Sequence, residues 1–346
     1  MKLKSLFNVA LSAAVAASFM IAGSATAGSH STKIIGAGAS FPAPIYSEWF
    51  KDLAEKTNGE IRVDYQSIGS GSGIKNFIGH TVDFGASDAA MKQSEIDQVP
   101  EGVQLLPMTA GEIVLAYNLP GISDLRLPRD VYPEIFLGKI TKWNDPKIAA
   151  ANPGVTLPDK PITVVVRSDK SGTTFGFTGH LSAISSEFKS AVGQGKMVQW
   201  PARNMVKGKK NDGVSSAIRQ TPGAIGYTEY GFAKLSQLPT ACLENKAGKF
   251  VCPGPEGGAA ALANAVLPEN LIVFINDPAG DTSYPIATFT WMMFYKKNKS
   301  AELAAALRTM VEYCLDEGQK IADKAGYIPL PESVVEKVRA ASKNIQ

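Results

Sequence analysis

Short apolar runs alternate along this chain with longer segments in which apolar positions recur every three or four residues. Ile34-Ile35, the alternating Ile61-Arg62-Val63-Asp64-Tyr65 and Val82-Asp83-Phe84 predict strands, and the segments 45–56 and 73–79 between them predict amphipathic helices. Alternation of this kind predicts an α/β fold built on parallel pairing. Further on, residues 111–118, 162–167 and 223–227 read as strands, with proline-punctuated short helices up to about residue 150 and a helix from about residue 173. A long apolar strand at 284–295 and helices around 300–316 and 332–342 complete a pattern without internal repeats.

Three of these strands empty into turns rich in glycine and hydroxyls, each directly ahead of a helix. Gly36-Ala37-Gly38-Ala39-Ser40-Phe41-Pro42-Ala43-Pro44 follows the first strand and Gly69-Ser70-Gly71-Ser72-Gly73 the second. Arg167-Ser168-Asp169-Lys170-Ser171-Gly172-Thr173-Thr174 follows the run Thr163-Val164-Val165-Val166. A helix start leaves up to four N–H groups without partners, the hydroxyls add donors, and Arg167 supplies a fixed charge on a planar fork, so each turn can build an anion site. Glycine lets backbone amides approach a ligand closely, and Pro44 stands where a helix tolerates proline. Each turn alone is equally an ordinary cap or a flexible loop; the three together predict one shared anion. Nucleotide motifs are excluded by spacing, because position 74 is isoleucine where a G-x-G-x-x-G run from Gly69 needs glycine, and no G-x-x-x-x-G-K-[ST] occurs.

At the N-terminus, Lys2 and Lys4 precede a mostly apolar stretch, 6–21, and Ala25-Thr26-Ala27 is an A-x-A cleavage pattern, so residues 1–27 read as a secretory signal peptide. No cysteine stands at that junction to take a lipid. A soluble protein exported to a space such as the bacterial periplasm is expected, with no later stretch long enough for a transmembrane helix. Composition changes this picture little: 45% hydrophobic and 19% charged residues describe an ordinary globular chain, long enough for two lobes. The 35 basic and 32 acidic residues nearly balance, and loss of Lys2 and Lys4 leaves about +1. That balance argues against a nucleic-acid or membrane-surface role carried by bulk charge, so any anion selectivity must be local. Cys242 and Cys252 flank nine residues and form a disulfide candidate in an oxidising compartment, whereas Cys314 falls on the apolar helical stripe of Leu303, Leu307 and Met310 and reads as a buried thiol. Nothing in the cysteine spacing suggests a metal, and no cofactor is expected.

The stretches GAGASFPAPIY (36–46), VDYQSIGSGSGIK (63–75), TVDFGASDA (81–89), IFLGKITKWNDPKIAAANPG (135–154), VVVRSDKSGTTFGF (164–177), TPGAIGYTEY (221–230) and LPESVVEKVRAA (330–341) carry a nearly full-length resemblance. The chain resembles the periplasmic phosphate-binding proteins of phosphate-specific ABC transporters. That resemblance implies a two-lobed α/β fold of the type II periplasmic-binding-protein kind, closing on its ligand like a hinged trap. Lobe 1 would comprise residues 28–109 plus 286–346 and lobe 2 residues 110–285. It also implies a non-enzymatic monomer that binds inorganic phosphate tightly and docks on an inner-membrane ABC permease. The family's phosphate contacts fall on Ser40, Phe41, Ser70, Asp88, Arg167, Ser171, Gly172 and Thr173, with Asp169 orienting the Arg167 guanidinium. Serine at 40 stands where relatives often have threonine, and Lys170 where many have glycine, so the rigidity of that turn is open. If about ten charge-assisted hydrogen bonds each contribute roughly 1.5 kcal/mol, and association costs roughly 4 to 15 kcal/mol, micromolar or tighter binding is within reach.

Asp88 would convert an anion site into a phosphate site. A carboxylate facing an anion is intelligible only if the ligand brings a proton, which phosphate does near neutral pH and sulfate does not. A site that places a buried polar group against a ligand hydrogen rejects analogues lacking it by roughly 10⁴ to 10⁵. Alternatively Asp88 merely caps a helix starting near Met91 or Ser94. Another oxyanion or a small phosphoester is the nearest alternative ligand, and an exported phosphatase a more distant one. The latter needs a base or a metal beside its hydroxyl, and the three histidines, His30, His80 and His180, form no ligand pattern; His80 and His180 read as surface or C-cap residues. The basic turn Lys207-Gly208-Lys209-Lys210-Asn211-Asp212-Gly213 could steer anions or be a solvated loop.

Overall fold

A computed structural model describes residues 31–263 and 265–346; the expected signal peptide and His30 lie outside them. Among the described residues eleven strands run in chain order as β1 (Thr32–Gly38), β2 (Ile61–Ser67), β3 (Phe84–Ser87), β4 (Val103–Tyr117), β5 (Arg126–Leu127), β6 (Thr163–Arg167), β7 (Met205–Gly208), β8 (Ala224–Glu229), β9 (Cys242–Glu244), β10 (Phe250–Val251) and β11 (Ala287–Tyr295). Eight of them form one sheet in the order β2-β1-β3-β11-β4-β8-β6-β7, and β10-β9-β5 form a small second sheet.

The expected parallel pairing holds at both ends of the large sheet, where β1 lies parallel to β2 and β3, and β6 lies parallel to β7 and β8. Between them β11 and β4 run antiparallel to their neighbours. β4 changes partner along its length: Val103 to Glu112 pair with β11, and Ile113 to Tyr117 pair with β8. It starts well before residue 111, because Gln104, Pro107 and Thr109 interrupt the apolar run that marks a strand in sequence while the backbone stays extended and buried. β3 lies at 84–87 and not at 82–84. Asp83 looks like part of an alternating strand, but its carboxylate accepts the Ile35 N–H (2.9 Å) and pairs with Lys299 (3.1 Å).

Each end of the sheet has its own aromatic core. The helix Ala43–Lys56 buries Ile45, Tyr46, Trp49, Phe50 and Leu53, the three-to-four spacing read from sequence. Tyr46 stacks on Trp49 and meets Tyr65 edge-on, and Tyr65 stacks on Phe84. At the other end Phe177 from the helix Gly172–Ile184 stacks on Tyr227 of β8, with Phe136 and Trp200 around them. Burying each such side chain contributes roughly 1.5–3 kcal/mol, so the strand ends between the two cores stand on rigid supports.

Candidate functional site

Arg167 ends β6, and its side chain is buried and held on every side. Nε and Nη2 donate to the two carboxylate oxygens of Asp169 (2.9 and 2.6 Å), Nη1 donates to Thr173 Oγ1 (3.2 Å) and Nη2 to Ser40 Oγ (3.3 Å). Burial alone would raise the Asp169 carboxyl. The Arg167 fork, its charge and the Lys210 N–H outweigh that and hold it below the usual carboxylate range. Ser171 caps the helix Gly172–Ile184, its Oγ accepting the Thr174 N–H (3.0 Å), which leaves the hydroxyl hydrogen free to donate.

A second cluster gathers around Asp88, just beyond β3. Its Oδ1 accepts from Thr290 of β11 (2.9 Å) and its Oδ2 from Ser70 (3.3 Å). Ser70 Oγ also accepts the Asp88 N–H (3.3 Å) and the Gly172 N–H (3.1 Å), so it joins the second turn to the third. A Cβ on Gly172 would lie 2.6 Å from Asp88 and Ser70, which is why only glycine brings that helix start against the carboxyl. Gly69 has φ +90°, and a Cβ there would sit 2.5 Å from Asp169 Oδ2. Burial pushes the Asp88 carboxyl up to about 7, against the pull of the Thr290 bond and the Arg167 charge. The cap reading fails: the next helix is Gln93–Ile96, and the Asp88 carboxylate bonds to Ser70 and Thr290 instead.

Ser40, Arg167, Asp169 and Thr173 thus form one hydrogen-bonded cluster and Ser70, Asp88 and Gly172 a second, adjoining where Gly172 and Thr173 are consecutive in the helix that Ser171 caps, and the two carboxyls have opposite tendencies. Phe41 stands beside them, its ring buried edge-on to Tyr327 and its carbonyl accepting the Tyr327 hydroxyl (2.7 Å). Among the described residues no group of three or more metal-ligating side chains occurs. The model of the PBP superfamily domain matches residues 23–317. The phosphate-binding protein PstS of Pasteurella multocida is 45% identical over 316 residues, which cover 90% of each chain.

The chain belongs to the PstS family. The PstS of Methanocaldococcus jannaschii is 40% identical over 86% of this chain and 82% of its own. Among solved structures, a high affinity periplasmic phosphate-binding protein with bound phosphate matches with a TM-score of 0.73 over 89% of this chain and 93% of its own, at 20% identity. The fold is therefore the two-lobed, mixed α/β type II fold of this superfamily, and the family is one of binding proteins. Among the described residues no helix is long and apolar enough to cross a membrane.

Two residues of the network escaped the sequence reading of this PstS relative. Thr290 is hidden inside the apolar strand β11, where nothing local sets its hydroxyl apart. Asn211 lies in the basic turn, which is not a solvated loop: β7 ends at Gly208, a helix begins at Lys210, and Asn211 is fully buried while Lys207 and Lys209 stay exposed. The available signal was the arrangement itself, a fourth strand end meeting an amphipathic helix, without the hydroxyls that marked the others. His180 is also corrected. It is buried within the helix Gly172–Ile184, with Nδ1 on the Asn276 carbonyl (2.6 Å) and Nε2 on the Tyr132 hydroxyl (2.8 Å), and burial lowers it to about 4. A carbonyl only accepts, so Nδ1 carries the proton and Nε2 accepts from Tyr132. Cys242 is disulfide-bonded to Cys252, closing the β9–β10 hairpin, and Cys314 is a buried free thiol.

Proposed function

We propose that this chain binds inorganic phosphate in the periplasm, as an exported protein cut near Ala27, and delivers it to an inner-membrane ABC permease. The observation that carries this reading is Asp88, a fully buried carboxyl that, unlike Asp169, is bonded to no cation and faces a site of donors. The remaining Arg167 Nη1 hydrogen, the Ser40, Ser171 and Thr173 hydroxyls and the N–H groups of Phe41 and Thr173 would hold the unprotonated ligand oxygens, the Gly172 N–H and the Ser70 hydroxyl would exchange their bonds to Ser70 and Asp88 for bonds to the ligand, and Asp88 would accept the one ligand proton. Asp169 neutralises and orients Arg167, so specificity rests on donor geometry more than on net charge.

In the same reading, lobe 1 is residues 28–109 plus 286–346 and lobe 2 is 110–285, hinged where β4 passes from β11 to β8. The bonds from Asn211 to Ser40 and from Gly71 N–H to the Lys170 carbonyl (2.9 Å) then become the contacts of a closed cleft. Scattering curves that are identical with and without phosphate would count against closure. A phosphatase finds less support, since the Ser171 oxygen accepts the Thr174 N–H and the buried His180 is tied to Asn276 and Tyr132.

The deciding experiment is calorimetric titration of phosphate-stripped protein with phosphate and then sulfate, repeated on Asp88→Asn. Measured well above about pH 7, where Asp88 is ionised, tight phosphate binding, sulfate weaker by at least about tenfold, and a much smaller ratio in the variant are expected. Equal binding of the two anions by the unmodified protein would overturn phosphate as the ligand and favour another oxyanion or a phosphoester.

A further inference from the structure

Ser40 and Thr173 carry hydroxyls whose lone pairs are already occupied by donors from the protein. Ser40 Oγ accepts from Arg167 Nη2 (3.3 Å), from the Asn211 N–H (3.2 Å) and from Asn211 Nδ2 (3.0 Å). Thr173 Oγ1 accepts from Arg167 Nη1 (3.2 Å) and from Asn211 Nδ2 (3.3 Å). A hydroxyl has two lone pairs and one hydrogen, so an oxygen filled in this way can only donate onward.

The Asn211 amide has only one orientation. Its Oδ1 accepts the backbone N–H of Glu229 (3.1 Å) and the Thr228 hydroxyl (3.2 Å), and a backbone N–H cannot bond to an NH₂ group, so Nδ2 must face Ser40 and Thr173. Both amide hydrogens are then used, one on each hydroxyl. The backbone enforces the same placement, because Lys210 takes a left-handed φ of 62° and gives its N–H to Asp169 (3.0 Å), delivering Asn211 into the buried interior. Ser40 and Asn211 are 171 positions apart, so the contact between them exists only when the first and fourth turns meet, whereas the amide orientation itself is set by Thr228 and Glu229.

We propose that Asn211 is a positioning residue whose side-chain amide makes the Thr173 hydroxyl an obligate donor to the bound anion, and that in the closed arrangement it adds a further donor to Ser40, already held as a donor by Arg167 and the backbone N–H of residue 211. This rests on the phosphate reading of the site. Freed from the Asn211 amide, Thr173 Oγ1 keeps only the Arg167 Nη1 donor and can turn a lone pair toward the ligand, where it repels the unprotonated oxygens, whereas Ser40 keeps Arg167 Nη2 and the backbone N–H of residue 211. Asn211 itself has no hydrogen left for the ligand.

The test is a thermodynamic cycle of phosphate dissociation constants for the unmodified protein, Asn211→Ala, Ser40→Ala/Thr173→Val and the triple variant. Asn211→Ala should weaken binding roughly ten- to a hundredfold in the unmodified background, and by no more than about twofold where both hydroxyls are gone. An equal loss in both backgrounds, or none in the first, overturns the proposal. Asn211→Asp keeps the volume and the Oδ1 bonds but accepts where the amide donates. It should weaken binding more than Asn211→Ala, and the loss should shrink at least tenfold without the two hydroxyls; if Asn211→Ala does not fold, this pair alone decides. Phosphate binding by the unmodified protein with an additive cycle refutes only the role of Asn211. No phosphate binding by the unmodified protein refutes the function reading and this inference with it.

Discussion

Asp88 and Asp169 are the same residue type a short distance apart in two adjoining clusters, yet they take opposite electrostatic characters. Asp169 grips a guanidinium with both oxygens and stays ionised. Asp88 receives only two hydroxyls, feels Arg167 at longer range, and burial lifts it to about 7. One carboxylate spends its charge neutralising the cation, and the other, in the proposed reading of the site, would exchange a proton with the ligand. An anion site of near-zero net charge can therefore discriminate by protons, which a simple positive pocket cannot.

The strongest way to break this contrast is Arg167→Met, which leaves Asp169 without its partner and adds a second unpaired acid to the site. Phosphate binding should fall by about 10³ or more, from several lost charge-assisted bonds, and urea unfolding should show stability lower by roughly 3 kcal/mol. Next is the pH profile of sulfate binding. Sulfate has no proton to give, so it needs Asp88 protonated. Its affinity should drop by up to tenfold per pH unit above about 7 and level off below it, while Asp88→Asn flattens the profile. A sulfate affinity independent of pH in the unmodified protein would dissolve the contrast.

A smaller effect concerns the ligand-free protein. Burial raises Asp88 to about 7, Glu229 to about 8 and Glu112 to about 9, so the folded state keeps protons that the unfolded state releases. Stability should accordingly fall as pH rises from about 4 to about 9, measured by urea unfolding in phosphate-free buffer, and Asp88→Asn should remove the part between 4 and 7. Asp169 works in the opposite sense, its contribution being lost as the solution becomes acid. Least affected of all should be binding after reduction of Cys242–Cys252: unfolding becomes easier by about 2 kcal/mol, but the hairpin gives no side chain to the network and the phosphate affinity should not move.

The three hydroxyl turns and the helices behind them were legible because glycine, serine and apolar spacing act locally and leave a local trace. The same logic hid the rest. Asn211 and Thr290 gain their roles only from partners far along the chain, Ser40 and Asp88, and in their own segments one looks like a basic loop and the other like a core strand. β4 could be read only from residue 111, since its first half is defined by pairing with β11 and not by its own pattern. His180 was misplaced because a buried histidine bonded to a carbonyl and a phenol has the same helical neighbours as an exposed one.

The position of β11 bears on how such a chain is made and moved. It is the last strand in sequence, yet it lies between β3 and β4, so the first half of the sheet has a gap until residue 295 has arrived. A growing or translocating chain cannot finish that half early, whatever its local propensities. A fragment ending before Ala287 should show no cooperative melting, whereas the whole chain should.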